Sequence, residues 1–171
     1  MSLPPEDVEA LILDQVNVLA EIAKAEGVEL HHVKPHGALY NQSAKDRVLA
    51  GAIARAVKRV SVDLVLVGLA GSELVEAGIE VGLKVANEGF PDRNYNPDGA
   101  LVSRKQPHAI IESPEEIASH AIELVKHGID FSGRRVNVDT LCLHGDHPRA
   151  ADNAKIVHEV LGNYGVEIAG F

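Results

Sequence analysis

Apolar positions along the chain follow two spacings that alternate. Val8, Leu11, Ile12, Val16, Leu19, Ile22 and Ala23 recur at three- and four-residue steps, which is one stripe of a helix that Gly27 ends. Val28 to Lys34 reads as a short strand. Ser43 is then positioned to cap a second helix, with Val48, Ile53, Ala56 and Val57 on its inner face. Val62 to Val67 is an apolar run of the kind shown by a strand covered on both faces. Gly71 and Ser72 open a short helix to about Ile79, and Leu83 to Ala86 reads as a third strand. Further on, Ser113, Pro114 and Glu116 make a helix start of cap, first-turn proline and capping-box glutamate. Ile117, Ala121, Leu124 and Val125 form its buried face, and Gly128 stops it. Val136 to Leu143 is a fourth strand, Pro148 to Tyr164 a helix stopped by Gly165, and Val166 to Ala169 a fifth strand.

This alternation predicts an α/β class with about five mainly parallel strands, in a single domain over 1–171. The chain opens on a helix, whereas a crossover helix normally follows a strand. Upstream strands are therefore expected to lie outside this sequence or to be supplied from elsewhere.

The stretch from Glu88 to Ser113 has no periodicity and is punctuated by Pro91, Pro97, Gly99 and Pro107. Connections longer than about 12–15 residues are usually functional or disordered. Polar clusters also sit where strands end. Lys34-Pro35-His36-Gly37 with Tyr40 and Asn41 follows the first strand, and Gly68-Leu69-Ala70-Gly71-Ser72 the second. Glu88, Asp92 and Arg93 follow the third, and His144-Gly145-Asp146-His147 the fourth. Carboxyl ends of parallel strands face one way and ligands bind there, so four such clusters predict one site on one rim.

Each residue also has a plainer reading. His36 and His144 stand beside glycines at matching strand ends, which favours function over a turn hydrogen bond. Asp146 suits helix capping as well as catalysis. Lys34 is costly to bury unpaired, so it meets Glu88, Asp92 or an anionic substrate. Arg93 and Arg104 are solvated or paired with Asp92 and Asp98, or they form a carboxylate or phosphate clamp. Tyr40 and Asn41 serve equally as turn formers or ligand contacts, and Tyr95 packs the long loop down. No role is read for His31, His32, His108, His120, His127 or His158, and Cys142 reads as a small core residue.

Composition narrows the classes. A formal charge of −9 over 171 residues argues against duplex nucleic acid, whose binding draws on Lys and Arg. No apolar run approaches the roughly 20 residues of a membrane span. Glu6, Asp7 and Glu9 stand where a secretory signal would be basic, and the single Cys142 permits no internal disulfide. A cytoplasmic protein is expected. Gly68 to Ser72 lacks the Lys-Ser/Thr of a phosphate loop, and no Gly-x-Ser-x-Gly elbow or His-Glu-x-x-His is present. A mixed metal site from His36, Asp92, His144 and Asp146 is conceivable, but no spacing requires it.

At His32 to Asn41, His-Val-Lys-Pro-His-Gly-Ala-Leu-Tyr-Asn, the chain closely resembles the LamB/YcsF family. Three further blocks agree in order: Gly-Leu-Ala-Gly-Ser (68–72), Glu-Gly-Phe-Pro-Asp-Arg-Asn-Tyr (88–95) with Gly-Ala-Leu-Val-Ser-Arg (99–104), and Leu-Cys-Leu-His-Gly-Asp (141–146). The resemblance implies an incomplete seven-stranded (β/α) barrel of the glycoside hydrolase/deacetylase type. It implies the A subunit of an enzyme that opens the lactam of 5-oxoproline to L-glutamate using ATP and magnesium, with B and C subunits and no tightly bound cofactor. Homo-oligomers are compatible with it; nucleic acid and membrane are not expected as partners.

The implied catalytic residues are Lys34, His36, Asp92, His144 and Asp146; the implied substrate-binding residues are Tyr40, Asn41, Glu88, Arg93 and Arg104; no metal ligand is implied. In this scheme His144 or Asp146 handles the proton of the attacking water. Lys34 and Arg93 stabilise developing negative charge, while His36 and Tyr40 orient the substrate. The family's Asp-Leu-Asn-Cys-Asp, His-Ala-Gly-Asp and Gly-Ala-His-Pro motifs do not occur here, so the chain corresponds to the C-terminal part of the family fold. Two other readings stay open: a metal-dependent amide or carbohydrate hydrolase of the same superfamily, and a non-catalytic binding subunit.

Overall fold

A computed structural model describes every residue except 1, 2, 132, 147, 148 and 171. The chain divides into two compact units, Met1–Ala86 and Asn87–Phe171. The first contains α1 (Pro5–Ala25), β1 (His32–Val33), α2 (Gly37–Ser43), α3 (Arg47–Val60), β2 (Val65–Leu69), α4 (Glu73–Glu80) and the start of β3 (Lys84–Gly89). Strands β1 and β2 are parallel, with His32 beside Val65 and Val33 beside Leu66. Their core joins Val8, Ile12 and Val16 of α1 to Ile53 and Val57 of α3, Leu66 of β2 and Leu74 of α4.

Two details of the helices differ from the sequence reading. The apolar stripe of α1 is wider than the surface it covers: Val8, Ile12, Val16 and Ala23 are buried, but Leu11, Leu19 and Ile22 stay exposed, next to Val18. Ala50 and Ala54 of α3 lie in the same core cluster as Val8, Ile12 and Val16, and the exposed flank of the stripe falls outside it. Second, Asp46 rather than Ser43 caps α3, its Oδ1 accepting the N–H groups of Val48 and Leu49 at 3.0 Å. Ser43 instead ends α2, its hydroxyl donating to the Tyr40 carbonyl at 3.1 Å. That start turns Val48 outward, 63% exposed. Ser72 caps α4 as predicted, with Oγ accepting from Val75 N–H at 3.4 Å.

The second unit takes the end of β3, a long ordered loop, α5 (Pro114–His127), β4 (Ile129–Phe131), β5 (Arg134–Val136), β6 (Thr140–Leu141) and α6 (Ala150–Asn163). Strands β3 and β6 are parallel, with Glu88 beside Thr140 and Gly89 beside Leu141. The sheet order is β1-β2-β3-β6, so the predicted α/β class with parallel strands holds. Ser113 and Gly128 bound α5, as their local chemistry requires.

The predicted strand Val136–Leu143 is two pieces. Arg134–Val136 pairs antiparallel with Ile129–Phe131, and only Thr140–Leu141 joins the parallel sheet. Gly128 adopts φ 67 and turns the chain straight from α5 into this hairpin. Between the pieces, Asp139 faces back: its Oδ2 accepts the backbone N–H and the side-chain amide of Asn87 at 2.8 and 3.0 Å. Val166–Ala169, predicted as a fifth strand, pairs with no strand among the described residues. Instead Val166 N–H donates to the Leu161 carbonyl at 3.0 Å, closing α6, and its side chain packs on the cluster of Ile117, Val157 and Leu161. Helix α6 begins at Ala150 behind Arg149, which makes no side-chain cap; the predicted start at Pro148, and His147, lie outside the described residues.

Candidate functional site

In the second unit, β3 and β6 run side by side in one direction, so the residues that follow them emerge together. Asp92 follows β3 and is 5% exposed; His144 follows β6. The imidazole Nδ1 of His144 lies 2.7 Å from Asp92 Oδ2, and the same oxygen accepts the His144 backbone N–H at 3.2 Å. A carboxylate on Nδ1 holds the proton there and leaves Nε2 as the basic nitrogen. Burial pushes the Asp92 carboxyl up, but the hydrogen bond and charge of His144 outweigh it, and the net shift is downward. Asp92 Oδ1 is buried and accepts no hydrogen bond from the described residues, an arrangement worth roughly 1–3 kcal/mol of instability and commonest at functional groups.

Two guanidinium groups line the same pocket. Arg93 is 6% exposed and is held by backbone carbonyls, Nε to Ala109 at 3.1 Å and Nη2 to Val102 at 2.6 Å. Burial lowers its pKa, and the nearby charge of Arg104 lowers it further. Arg104 is half-exposed and donates Nη1 to Asp146 Oδ2 at 3.0 Å. That hydrogen bond, with the charge of Arg104, holds the Asp146 carboxyl below the usual range. Arg104 is thus partly solvated and paired with Asp146, while Arg93 is buried and bound to backbone carbonyls. Together with Ile110 and Glu112 these groups surround a cavity of about 350 Å³.

The loop that carries Arg93 and Arg104 is tied across itself. Arg93 bridges Ile110 and Tyr95 bridges Leu101, while Asn96 N–H bonds the Ala100 carbonyl at 2.8 Å. Gly99 sits at φ 77, where an added Cβ would collide with the Phe131 ring. The aperiodic stretch is thus held by its own bonds, with Arg93 and Arg104 on the pocket. Glu88 is buried at the end of β3.

The remaining predicted residues belong to the first unit, after β1. Lys34 is half-buried with Nζ 5.8 Å from the centre of the buried Tyr40 ring, within cation–π range. His36 is exposed at the start of α2 and makes no capping bond. Asn41 turns its amide back to the Gly37 carbonyl at 3.0 Å, the turn-forming alternative. The Gly68–Ser72 cluster is a turn and helix cap. The structure therefore brings Asp92, Arg93, Arg104, His144 and Asp146 into one pocket of the second unit, and in the first unit it sets Lys34 over Tyr40. Glu112 was missed by sequence reading; its only signal was position, two residues beyond the bridged Ile110 and so on the same side of an extended chain.

These features define an α/β protein with polar residues gathered where parallel strands end, and with an aspartate–histidine pair and two guanidinium groups in one pocket. The chain belongs to the LamB/YcsF family, which matches it across residues 1–171. It is 48% identical over 172 residues to a protein of Tolumonas auensis named as the A subunit of 5-oxoprolinase, covering 98% of this chain and 68% of that protein. A Pyrococcus horikoshii protein of the same name is 47% identical with the same coverage. Among solved structures, a lactam utilization protein from Thermus thermophilus superposes with a TM-score of 0.87 at 42% identity, over 100% of this chain and 70% of that one.

Proposed function

We propose that this chain acts as the A subunit of a cytoplasmic, ATP-dependent 5-oxoprolinase that hydrolyses the lactam of 5-oxoproline to L-glutamate together with B and C subunits. The Asp92–His144 pair carries the reading, because ring opening needs a group that takes the proton of the attacking water, and a carboxylate on Nδ1 leaves the imidazole Nε2 available for it. Names borne by relatives over nearly the whole chain supply the substrate class.

Water attacks the carbonyl carbon of the lactam activated at its oxygen, and the ring C–N bond breaks, giving the amine and an acyl phosphate. His144 Nε2 takes the water proton; Asp146, already committed to Arg104 and held ionised, is the weaker base of the two. Arg93 and Arg104 face the negative charge that develops on oxygen, where fixed cations in a confined pocket act most strongly. ATP, as cosubstrate, transfers its terminal phosphoryl group to the lactam oxygen and leaves as ADP before water attacks. The ring nitrogen leaves with the proton taken by His144, and a second water hydrolyses the acyl phosphate to the carboxylate and inorganic phosphate. The pocket fits the anionic end of that chemistry. At about 350 Å³ it lies near the small end of ligand sites, roughly 300–1,000 Å³, which suits a five-membered lactam acid better than a nucleotide.

The test is ATP-dependent glutamate release from 5-oxoproline with this chain added to B and C subunits. Turnover above the B-plus-C control is expected, and His144→Ala is expected to lower kcat by about 10²–10⁴-fold. No turnover, beside an active full-length relative, overturns the proposal. Unchanged turnover in His144→Ala removes His144 from the mechanism.

A further inference from the structure

Sheet pairing holds this part of the chain only as far as Gly89, whose carbonyl accepts the Cys142 N–H at 2.9 Å. The next three residues leave the sheet, yet they set both contacts of the His144 ring. The Phe90 ring stacks on the imidazole, with centroids 5.5 Å apart and planes at 21°, and Asp92 binds its Nδ1. Two backbone bonds hold the ends of this turn, from Arg93 N–H to the Phe90 carbonyl at 3.2 Å and from Ile111 N–H to the Asp92 carbonyl at 3.0 Å, but neither reaches the Phe90 amide or the Pro91 carbonyl. Proline at 91 removes one amide by which the turn would otherwise be tied.

Two side chains of the second unit bind those two groups. Tyr95 Oη accepts the Phe90 N–H at 2.6 Å. The Nδ1–H of His120, from the middle of α5, meets the Pro91 carbonyl at 3.0 Å. The two rings brace each other edge to face, 5.9 Å between centroids at 78°, a favoured aromatic geometry. Neither residue lines the pocket that holds Asp92 and His144.

We propose that Tyr95 and His120 form a positioning pair that clamps the Phe90-Pro91-Asp92 turn and thereby fixes the orientation and tautomer of His144. The chain of contact runs from α5 through His120 to Pro91, and from Tyr95 to Phe90. Then Phe90 and Asp92 grip the two sides of one imidazole. Removing either anchor leaves a partner group unbonded and lets the turn drift, and a displacement of about 1 Å near reacting atoms is worth roughly 10²-fold in rate. The catalytic consequence rests on the function proposed above; the effect on His144 itself does not.

The test uses the full chain and three variants, Tyr95→Phe, His120→Leu and His120→Asn. Ring-nitrogen NMR shifts of His144, read on the chain without substrate, are expected to show one dominant Nδ1-protonated tautomer in the wild type. Tyr95→Phe and His120→Leu are expected to broaden or shift those signals toward a mixture of tautomers. His120→Asn keeps a donor at the place of Nδ1 and is expected to restore them. In the assembled enzyme the first two variants are expected to lose about tenfold in kcat with KM little changed, the scale of one lost hydrogen bond. Wild-type His144 signals in a folded Tyr95→Phe or His120→Leu overturn the proposal. If Tyr95→Phe fails to fold, His120→Leu and its asparagine counterpart decide alone. An assembled wild-type enzyme without turnover overturns the proposed function, while the NMR outcome still decides the clamp.

Discussion

Asp92 concentrates the electrostatics of the candidate site in one side chain. Its carboxyl is buried, which favours the neutral form, yet the His144 hydrogen bond wins and the group is more acidic than usual. A carboxyl with a depressed folded-state pKa stabilises the protein at pH above its ordinary unfolded value, about 3.9, and loses that contribution as pH falls below it. Thermal unfolding of the wild type and of Asp92→Asn should therefore differ most near neutral pH. The gap should narrow on acidification through and below the usual carboxylate range; a gap that widens there would contradict the assignment. The Arg104–Asp146 pair is largely open to solvent, the side chains 46% and 67% exposed, and adds little to stability. At this scale the sequence indicated which residues gather in the pocket, since Asp92, Arg93, Arg104, His144 and Asp146 all stand just past strand ends or in the long loop. It was silent on Glu112 and on His120, which sits on α5 at an unremarkable, partly buried position.

At the scale of elements, boundaries set by local chemistry were readable. Ser72 and Ser113 cap the helices they precede, because a hydroxyl bonding an N–H three residues on needs nothing from elsewhere. Ser43 and Asp46 were both able to cap, and the choice fell to Asp46 because Gly37–Ser43 forms a helix of its own. Gly128 ends α5 for a steric reason as well as a conformational one. At φ 67 an added Cβ would strike the Val136 carbonyl oxygen of the neighbouring strand. Gly128→Ala is expected to destabilise the second unit by roughly 2–4 kcal/mol, combining left-handed backbone strain with overpacking. Denaturant unfolding monitored in the second unit checks this, and a loss under about 0.5 kcal/mol, the size of an ordinary surface substitution, would refute it.

Across the whole molecule the surface is acidic, with a formal charge of −9, and among the described residues no helix is long and apolar enough to cross a membrane. The exposed flank of α1 departs from that polar character. Val18, Leu19 and Ile22 are 58%, 55% and 56% exposed on a helix whose other side is buried against α3. Replacing Leu19 and Ile22 by Gln should lower binding of an apolar dye. The unfolding free energy should stay within about 0.5 kcal/mol, since neither side chain belongs to the core. A large loss of stability would mean that this flank is packed in the folded chain.

The sequence by itself determined the alternation of helix and strand, the capped starts of α4 and α5, the glycines past the ends of α1, α5 and α6, the α/β class and most of the residues worth testing. Those features depend on neighbours a few positions away, and spacing and capping express them directly. Tertiary structure decided the rest. Asp92 and His144 are 52 residues apart, Arg104 and Asp146 are 42 apart, and Tyr95 of the long loop meets His120 of α5. Val136–Leu143 was divided between a hairpin and the parallel sheet, and Val166–Ala169 was left out of the sheet. Such pairings follow from which strands and helices pack together, and no local pattern encodes that choice because the groups that meet are distant in sequence and close only once the core has formed.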